Sequence, residues 1–281
     1  MSGGLSRRRF LQAAISACAV APRALAADRD QGWADRRVYG PFVCTSAFPL
    51  GRLEGVFLEL AQLESELHRT LAIPPARQTV DVFLLADEAA HRTFLAQLYP
   101  HVPYRRALYV RRGGRGAVYA YQHDELAIDL RHESTHALLH ATLPDVPLWL
   151  DEGLAEYFEM SQEERAYGHP HLAVLRWNYR LGMSRTMEML EARQEVGEMG
   201  SIEYRFAWSW VHFMLHGPAA AHRTLVNYLA DIRRGESAGQ LSVRLRRTIP
   251  DLDERMARHI GSWRQSPSPS LAESSANSLR S

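Results

Sequence analysis

Apolar positions recur at intervals of three and four from Leu53 onward. Leu53, Val56, Phe57, Leu60, Leu63, Leu67 and Leu71 give one apolar face to a helix that ends before Pro74 and Pro75. After that the rhythm shortens. Thr79 to Leu85 is dense in β-formers and predicts a strand, and Asp87 is placed to cap a helix running to about Tyr99. Ala107 to Arg111 and Ala117 to Gln122 are β-like runs joined by Arg112-Gly113-Gly114-Arg115-Gly116, a spacing and composition that predict a hairpin. Upstream, Val38 to Ala47 carries β-formers broken by Gly40 and Pro41 and reads as one irregular strand. From Asp124 on the periodicity is helical almost throughout, with helices predicted over 125–140, 149–161, 186–194, 202–216, 220–233 and 251–263. The expected fold is α+β: a mixed N-terminal half with a small β-sheet and an edge hairpin, then an α-helical C-terminal half.

A chain of 281 residues, 46% hydrophobic and 23% charged, suits a globular fold rather than a fibrous or disordered one. One catalytic domain is expected, in an α/β part over 27–122 and a helical part over 123–264. The Ser- and Pro-bearing tail over 265–281 is expected to be disordered. The 33 basic and 32 acidic residues are interspersed, so no broad field draws the whole chain to nucleic acid or to an anionic membrane, and nucleic acid is not an expected partner.

The first residues change the compartment. Arg7, Arg8 and Arg9 lead into an apolar stretch from Phe10 to Pro22 and then Ala24-Leu25-Ala26, the layout of a cleaved targeting segment over 1–26. Ser6-Arg7-Arg8-Arg9-Phe10-Leu11-Gln12 resembles the twin-arginine export signal; a general secretory signal with a basic start is the alternative. The mature chain then starts at Ala27, is periplasmic or secreted, and keeps no transmembrane anchor. Ile15-Ser16-Ala17-Cys18 resembles a lipobox, so a lipid tether at Cys18 is a second possibility. With Cys18 removed, Cys44 is the one remaining thiol and no internal disulfide forms.

His132-Glu133-Ser134-Thr135-His136 is an HExxH string inside a predicted helix, where positions i and i+4 share a face. Two imidazoles so placed can hold one zinc ion, and Glu133, about 100 degrees round the helix, can act as general base without being a ligand. Thirteen His residues make a chance match conceivable. The context decides: a hairpin precedes, Asp124 is placed as a cap, and Leu126, Ile128, Leu130, Leu138 and Leu139 can bury the helix and hold the His pair. A catalytic zinc takes a third protein ligand and leaves a position for solvent. Glu152, in Trp149-Leu150-Asp151-Glu152-Gly153-Leu154-Ala155-Glu156-Tyr157-Phe158, follows a turn containing Pro144 and Pro147 and is the candidate. His123, His140 and the pair His169 and His171 read as surface or structural residues.

These two segments together resemble the gluzincin metallopeptidases, the clan of thermolysin and the aminopeptidase N type enzymes, and in particular their short bacterial members. The resemblance implies a zincin active-site helix, one Zn2+ held by His132, His136 and Glu152, and Glu133 as general base. It also implies that Glu156, with Asp151 beside Glu152, orients the ligands through hydrogen bonds. Hydrolysis of peptide bonds in a peptide or protein substrate is the implied activity. Tyr204-Arg205-Phe206-Ala207 is similar to the clan's Tyr-x-x-Gly/Ala element, which gives Tyr204 the role of hydrogen-bond donor to the tetrahedral oxyanion; a core tyrosine is the other reading. Ala117, Val118, Tyr119, Ala120 and Tyr121 stand where the clan has the edge strand that binds an extended substrate, with an ordinary sheet strand as the alternative. Two departures matter. The 15 residues between His136 and Glu152 are fewer than in aminopeptidase N relatives, and no Gly-x-Met-Glu-Asn element is present to bind a free amino end. A zinc-stabilised peptide- or protein-binding module without catalysis is the reading from another class.

Overall fold

The computed structural model describes residues 32–112 and 114–263. The expectations for the leader, for Cys18 and for the tail from 265 lie outside the described residues. The fold is α+β, with one five-stranded sheet followed by a helical half. The chain divides into two compact units, one up to Asp145 and one from Val146. The HExxH helix therefore belongs with the sheet.

In the first unit, β1 (Asp35–Tyr39) and β2 (Phe42–Ser46) form a tight antiparallel hairpin instead of the single irregular strand expected. Gly40 makes the turn possible: its φ of +53° is a left-handed conformation, and a Cβ there would lie 3.2 Å from the Ala61 Cβ. A 3-10 turn at Leu50–Leu53 then leads into α1 (Glu54–Leu71), which buries Phe57, Leu60, Leu63, Leu67 and Leu71. These are the positions of the predicted stripe, apart from Leu53 and Val56 at its start. Strand β3 (Val80–Leu85) follows. Helix α2 (Glu88–Leu98) is capped as expected by Asp87, whose carboxylate accepts the Ala90 N–H at 2.9 Å.

The hairpin β4 (Leu108–Arg112) and β5 (Arg115–Tyr121) leads into α3 (Leu126–Thr142), which carries the HExxH string. Strand order is β1-β2-β3-β5-β4, with β2-β3 and β3-β5 parallel. This overturns the expectation for Ala117, Val118, Tyr119, Ala120 and Tyr121. Strand β5 is paired with β3 on one side and β4 on the other, so its backbone is committed to the sheet and β4 is the edge strand. On one face of the sheet Phe83, Leu85, Tyr119 and Tyr121 pack with Phe94 and Leu95 of α2. Strand alternation sends Val82, Leu84, Val118 and Ala120 to the other face, where α3 packs on β5 and α1 packs on α3.

Asp124 does not cap α3. Glu125 occupies the N-cap without a side-chain cap bond, and the first turn is held instead by Arg106, which donates to both Asp129 oxygens at 2.7 Å and also to Glu125. A forked guanidinium on two carboxylates fixes that end of the helix in place of an Asx cap.

The second unit contains α4 (Leu148–Phe158), α5 (His171–Arg180), α6 (Met187–Glu191), α7 (Ser201–His216), α8 (Ala219–Arg233), α9 (Leu241–Thr248) and α10 (Leu252–Ser262). Helices α5 and α9 were not expected. The apolar residues of α5 are split between a buried pair, Leu172 and Leu175, and exposed Val174 and Trp177, so no single stripe marks the helix. Helix α9 is short and rich in Arg. The tightest junction is α4 against α7. A Cβ on Gly153 would fall 2.8 Å from the Ala207 carbonyl carbon and oxygen, so only glycine permits this approach. Phe206, Trp208, Trp210 and Phe213 of α7 are all core.

Candidate metal centre

The first unit holds one half of the expected site. His132 and His136 project from the same face of α3, and their Nε2 atoms lie 3.2 Å apart. That distance tests the fit to zinc. Two nitrogens bound at about 2.0–2.1 Å to one ion, at a tetrahedral angle, stand roughly 3.3–3.4 Å from each other. The pair is thus spaced as two ligands of one small divalent ion, and imidazole suits zinc. Helix α3 is fixed on both flanks: Leu130, Ala137, Leu138 and Leu139 are buried, and Arg131 donates to Glu59 of α1 at 2.8 Å.

Glu133 faces strand β4. One of its carboxylate oxygens, Oε2, accepts the backbone N–H of Tyr109 at 2.7 Å. This contact sets the parity of the edge strand. A Tyr109 N–H given to Glu133 points away from β5, and by antiparallel alternation Arg111 presents its backbone the same way. The outward groups of β4 therefore run alongside Glu133. The Tyr109 ring lies over Gly116, where a Cβ would come within 3.1 Å of the Tyr109 Cε2, and it approaches the His136 and His140 rings with centroids 6.4 and 5.4 Å away. His140 takes part in this aromatic packing.

The second unit holds the other expected residues. Asp151 and Glu152 are both buried on α4, flanked by Trp149, Leu150 and Leu154. Tyr204 is half-buried in the first turn of α7, which is closed by Glu203 accepting the Gly200 N–H at 3.0 Å. Glu156 Oε2 pairs with His171 Nε2 at 2.9 Å. Glu156, His169 and His171 are close enough to suggest a metal site of their own. Their hydrogen bonds argue otherwise. His169 Nδ1 accepts the His171 N–H at 3.2 Å, so its proton sits on Nε2, facing Glu159 Oε1 at 3.4 Å. A metal would need the lone pair that this tautomer lacks, and the group is best described as two His–carboxylate pairs packed on Trp208.

A separate histidine cluster lies in the interior of the same unit. His212 Nε2 donates to the Ala166 carbonyl at 2.9 Å, which makes its Nδ1 the acceptor for His259 Nε2 at 2.9 Å. Burial holds all three of its members neutral: the pKa of His212 is pushed down to about 3 and that of His259 to about 4, and His216, bonded to the Tyr157 hydroxyl at 2.8 Å, is lowered as well.

Two contributors were not found from the sequence. Tyr109 acts through its backbone N–H, which no residue type announces. Gly153 stands in the sequence only as one residue of the stretch from Trp149 to Phe158, although close packing against Ala207 is its physical role.

No protein-family profile and no curated protein matches the chain. Among solved structures it is similar to an M1 zinc metallopeptidase from Deinococcus radiodurans, with 19% identity and a TM-score of 0.44 over 84% of this chain and 52% of that one. A single-substitution mutant of that enzyme gives 20% identity and a TM-score of 0.44 over the same shares. The chain spans about half the length of these structures. Likeness at this distance says nothing of the reaction, which has to come from the residues.

Proposed function

We propose that the chain is an exported zinc metallopeptidase that hydrolyses peptide bonds, with His132, His136 and Glu152 holding one zinc ion and Glu133 as general base. The observation that carries this reading is the pairing of two facts on α3: imidazole nitrogens at zinc-ligand spacing, and a glutamate between them fixed to the sheet's edge strand. Glu152 supports it as a buried carboxylate on the helix that follows after the connection Leu143–Pro147. Two His and one carboxylate are a donor set that suits catalytic zinc and leaves room for solvent.

A zinc ion so held supplies a Lewis acid that acidifies water and polarises a carbonyl. The chain's own residues do the rest. A peptide laid antiparallel on the outward groups of β4 runs past Glu133, with main-chain pairing giving affinity and little side-chain reading. Glu133 takes the proton of the attacking water and passes it to the leaving amine as the C–N bond breaks. The Tyr109 N–H holds the carboxylate in one orientation for both transfers. Glu156 and Asp151 orient ligands, and Tyr204 donates to the oxyanion, where such donors contribute about 3–4 kcal/mol.

The test pairs metal analysis with digestion of a broad peptide library before and after chelation. Glu133→Gln is expected to keep its zinc and lose turnover, whereas His132→Ala, His136→Ala and Glu152→Ala lose the metal. A wild-type protein that binds zinc but cleaves nothing would instead be a metal-stabilised binding module. Full activity in Glu133→Gln removes the proposed mechanism.

A further inference from the structure

Helix α5 and the turn after it carry an apolar surface that the fold does not use. Leu172 and Leu175 are buried in the second unit, whereas Val174, Trp177, Leu181 and Met183 are 41%, 62%, 64% and 51% exposed. Positions 174, 177 and 181 share one helical stripe. Single exposed apolar residues need no explanation, but a contiguous group this close in the chain marks an interaction surface. The stripe continues into a turn at Gly182, whose φ is +68° and around which an added Cβ meets nothing within 4 Å. The turn stands in open space.

The charge of this segment is one-signed. Between Glu164 and Glu188 there is no Asp or Glu, while Arg165, Arg176, Arg180 and Arg185 all fall there. Two of them are engaged internally: Arg165 donates to the Met160 carbonyl at 2.9 Å, and Arg176 to that of Trp263. Arg185 is half-buried, 3.9 Å from Glu203. Arg180 is exposed, with its guanidinium 5.5 Å from the Trp177 ring. The even charge of the whole chain thus conceals a stretch in which exposed Trp177, Leu181 and Met183 are accompanied by exposed Arg180 and by no carboxylate of the stretch itself, the carboxylate that bears on Tyr179 being Asp253 of α10.

Charge selects the occupant. A two-fold contact between copies would set Arg180 and its neighbours against themselves. An anionic bilayer complements them: Trp and Leu rest at headgroup depth, and arginine reaches the lipid phosphates while its stem lies on apolar surface. No described helix is long and apolar enough to cross a membrane, so contact at this face is from one side.

We propose that α5 and the Leu181–Met183 turn form a docking face for an anionic lipid bilayer, with Trp177, Leu181 and Met183 entering the headgroup boundary and Arg180 on the phosphates. The proposal is independent of the metallopeptidase reading. It is tested with the exported chain, processed after Ala26, sedimented with vesicles of phosphatidylglycerol and phosphatidylcholine or of phosphatidylcholine alone. Binding is expected to the anionic vesicles, to weaken in high salt, and to fall at least tenfold in Trp177→Ser/Leu181→Ser. Arg180→Gln is expected to lower binding to the anionic vesicles severalfold. These positions are exposed, and an unchanged circular dichroism spectrum shows that the variants fold. Three results overturn the proposal: no sedimentation with anionic vesicles at low salt, equal binding by the double variant, or a dimer in light scattering that the double variant abolishes. A raised KM for soluble peptides in the double variant, without vesicles and without change in vesicle binding, makes the face a substrate wall and overturns it too.

Discussion

Gly153→Ala isolates what the glycine beside Glu152 does. The new Cβ would lie 2.8 Å from the Ala207 carbonyl carbon and oxygen and 3.0 Å from Val211 Cγ2. Ordinary contact begins near 3.4 Å, so α4 and α7 must part by about 0.6 Å, and the obstructing atoms are backbone that cannot rotate aside. Overpacking of this kind costs about 1–3 kcal/mol, while alanine in a helix interior regains about 1 kcal/mol over glycine, for a net loss of up to about 2 kcal/mol. Urea unfolding followed by tryptophan fluorescence reads this unit, since Trp149, Trp208 and Trp210 are all buried in it. At a slope of about 2 kcal/mol/M the midpoint falls by up to roughly 1 M. Gly261→Ala in α10 is the control, because a Cβ there meets nothing within 4 Å and the substitution is expected to be neutral or stabilising by a few tenths of a kcal/mol. If the Gly153→Ala midpoint equals or exceeds that of Gly261→Ala, the close approach of α4 and α7 is not what the glycine is for.

Tyr109→Pro removes the N–H given to Glu133 without breaking a ladder bond, on an edge strand that tolerates proline; metal content is expected to hold while kcat falls at least tenfold below that of Tyr109→Ala, which keeps the N–H. Acid acts on the His212 cluster. Its neutral form is favoured by folding, so the stability it confers is complete above the ordinary His pKa of about 6.5 and is lost as pH falls from there toward the folded values of about 4 and 3. At pH 5 each of the two residues forfeits up to about 2 kcal/mol, and the pair titrates as one system. Urea midpoints from pH 7 to 5 should show a slope in the wild type that is shallower in His259→Gln. Gly116→Ala presses on the Tyr109 ring rather than on backbone, so its stability cost is expected to stay near 1 kcal/mol or below while catalytic efficiency drops severalfold.

What the sequence discloses here is what is local. The His132 and His136 pair follows from the helical repeat, and its 3.2 Å separation needs nothing but a regular α3. Asp87 as a cap and the β4–β5 hairpin are likewise set by neighbours in the chain. Strand order is not. Strand β3, separated from β5 by all of α2, takes the position beside β5 and leaves β4 outermost, which no alternation pattern within β5 reports. The Asp124 cap failed for a related reason: Arg106, far back in the chain, anchors the helix start through Asp129. Helix α5 escaped notice because half of its apolar residues face outward, the same property that makes it a docking face.

Strand register, more than strand order, connects the fold to the proposed chemistry. Arg112 opposite Arg115 closes the hairpin, and counting back from that pair fixes Tyr109 opposite Val118 with its N–H turned outward to Glu133. Had the turn been one residue longer on the β4 side, the parity would reverse. Leu108 and Val110 would leave the apolar cluster under α2, Tyr109 would enter it, and Glu133 would face the backbone of a different residue. The Gly-rich turn therefore acts on the site at a distance, because the same count that buries Leu108 and Val110 aims the Tyr109 N–H. Selection for a well-packed sheet face and selection for a correctly held Glu133 then fall on one geometric variable, and a hairpin that satisfies the first satisfies the second.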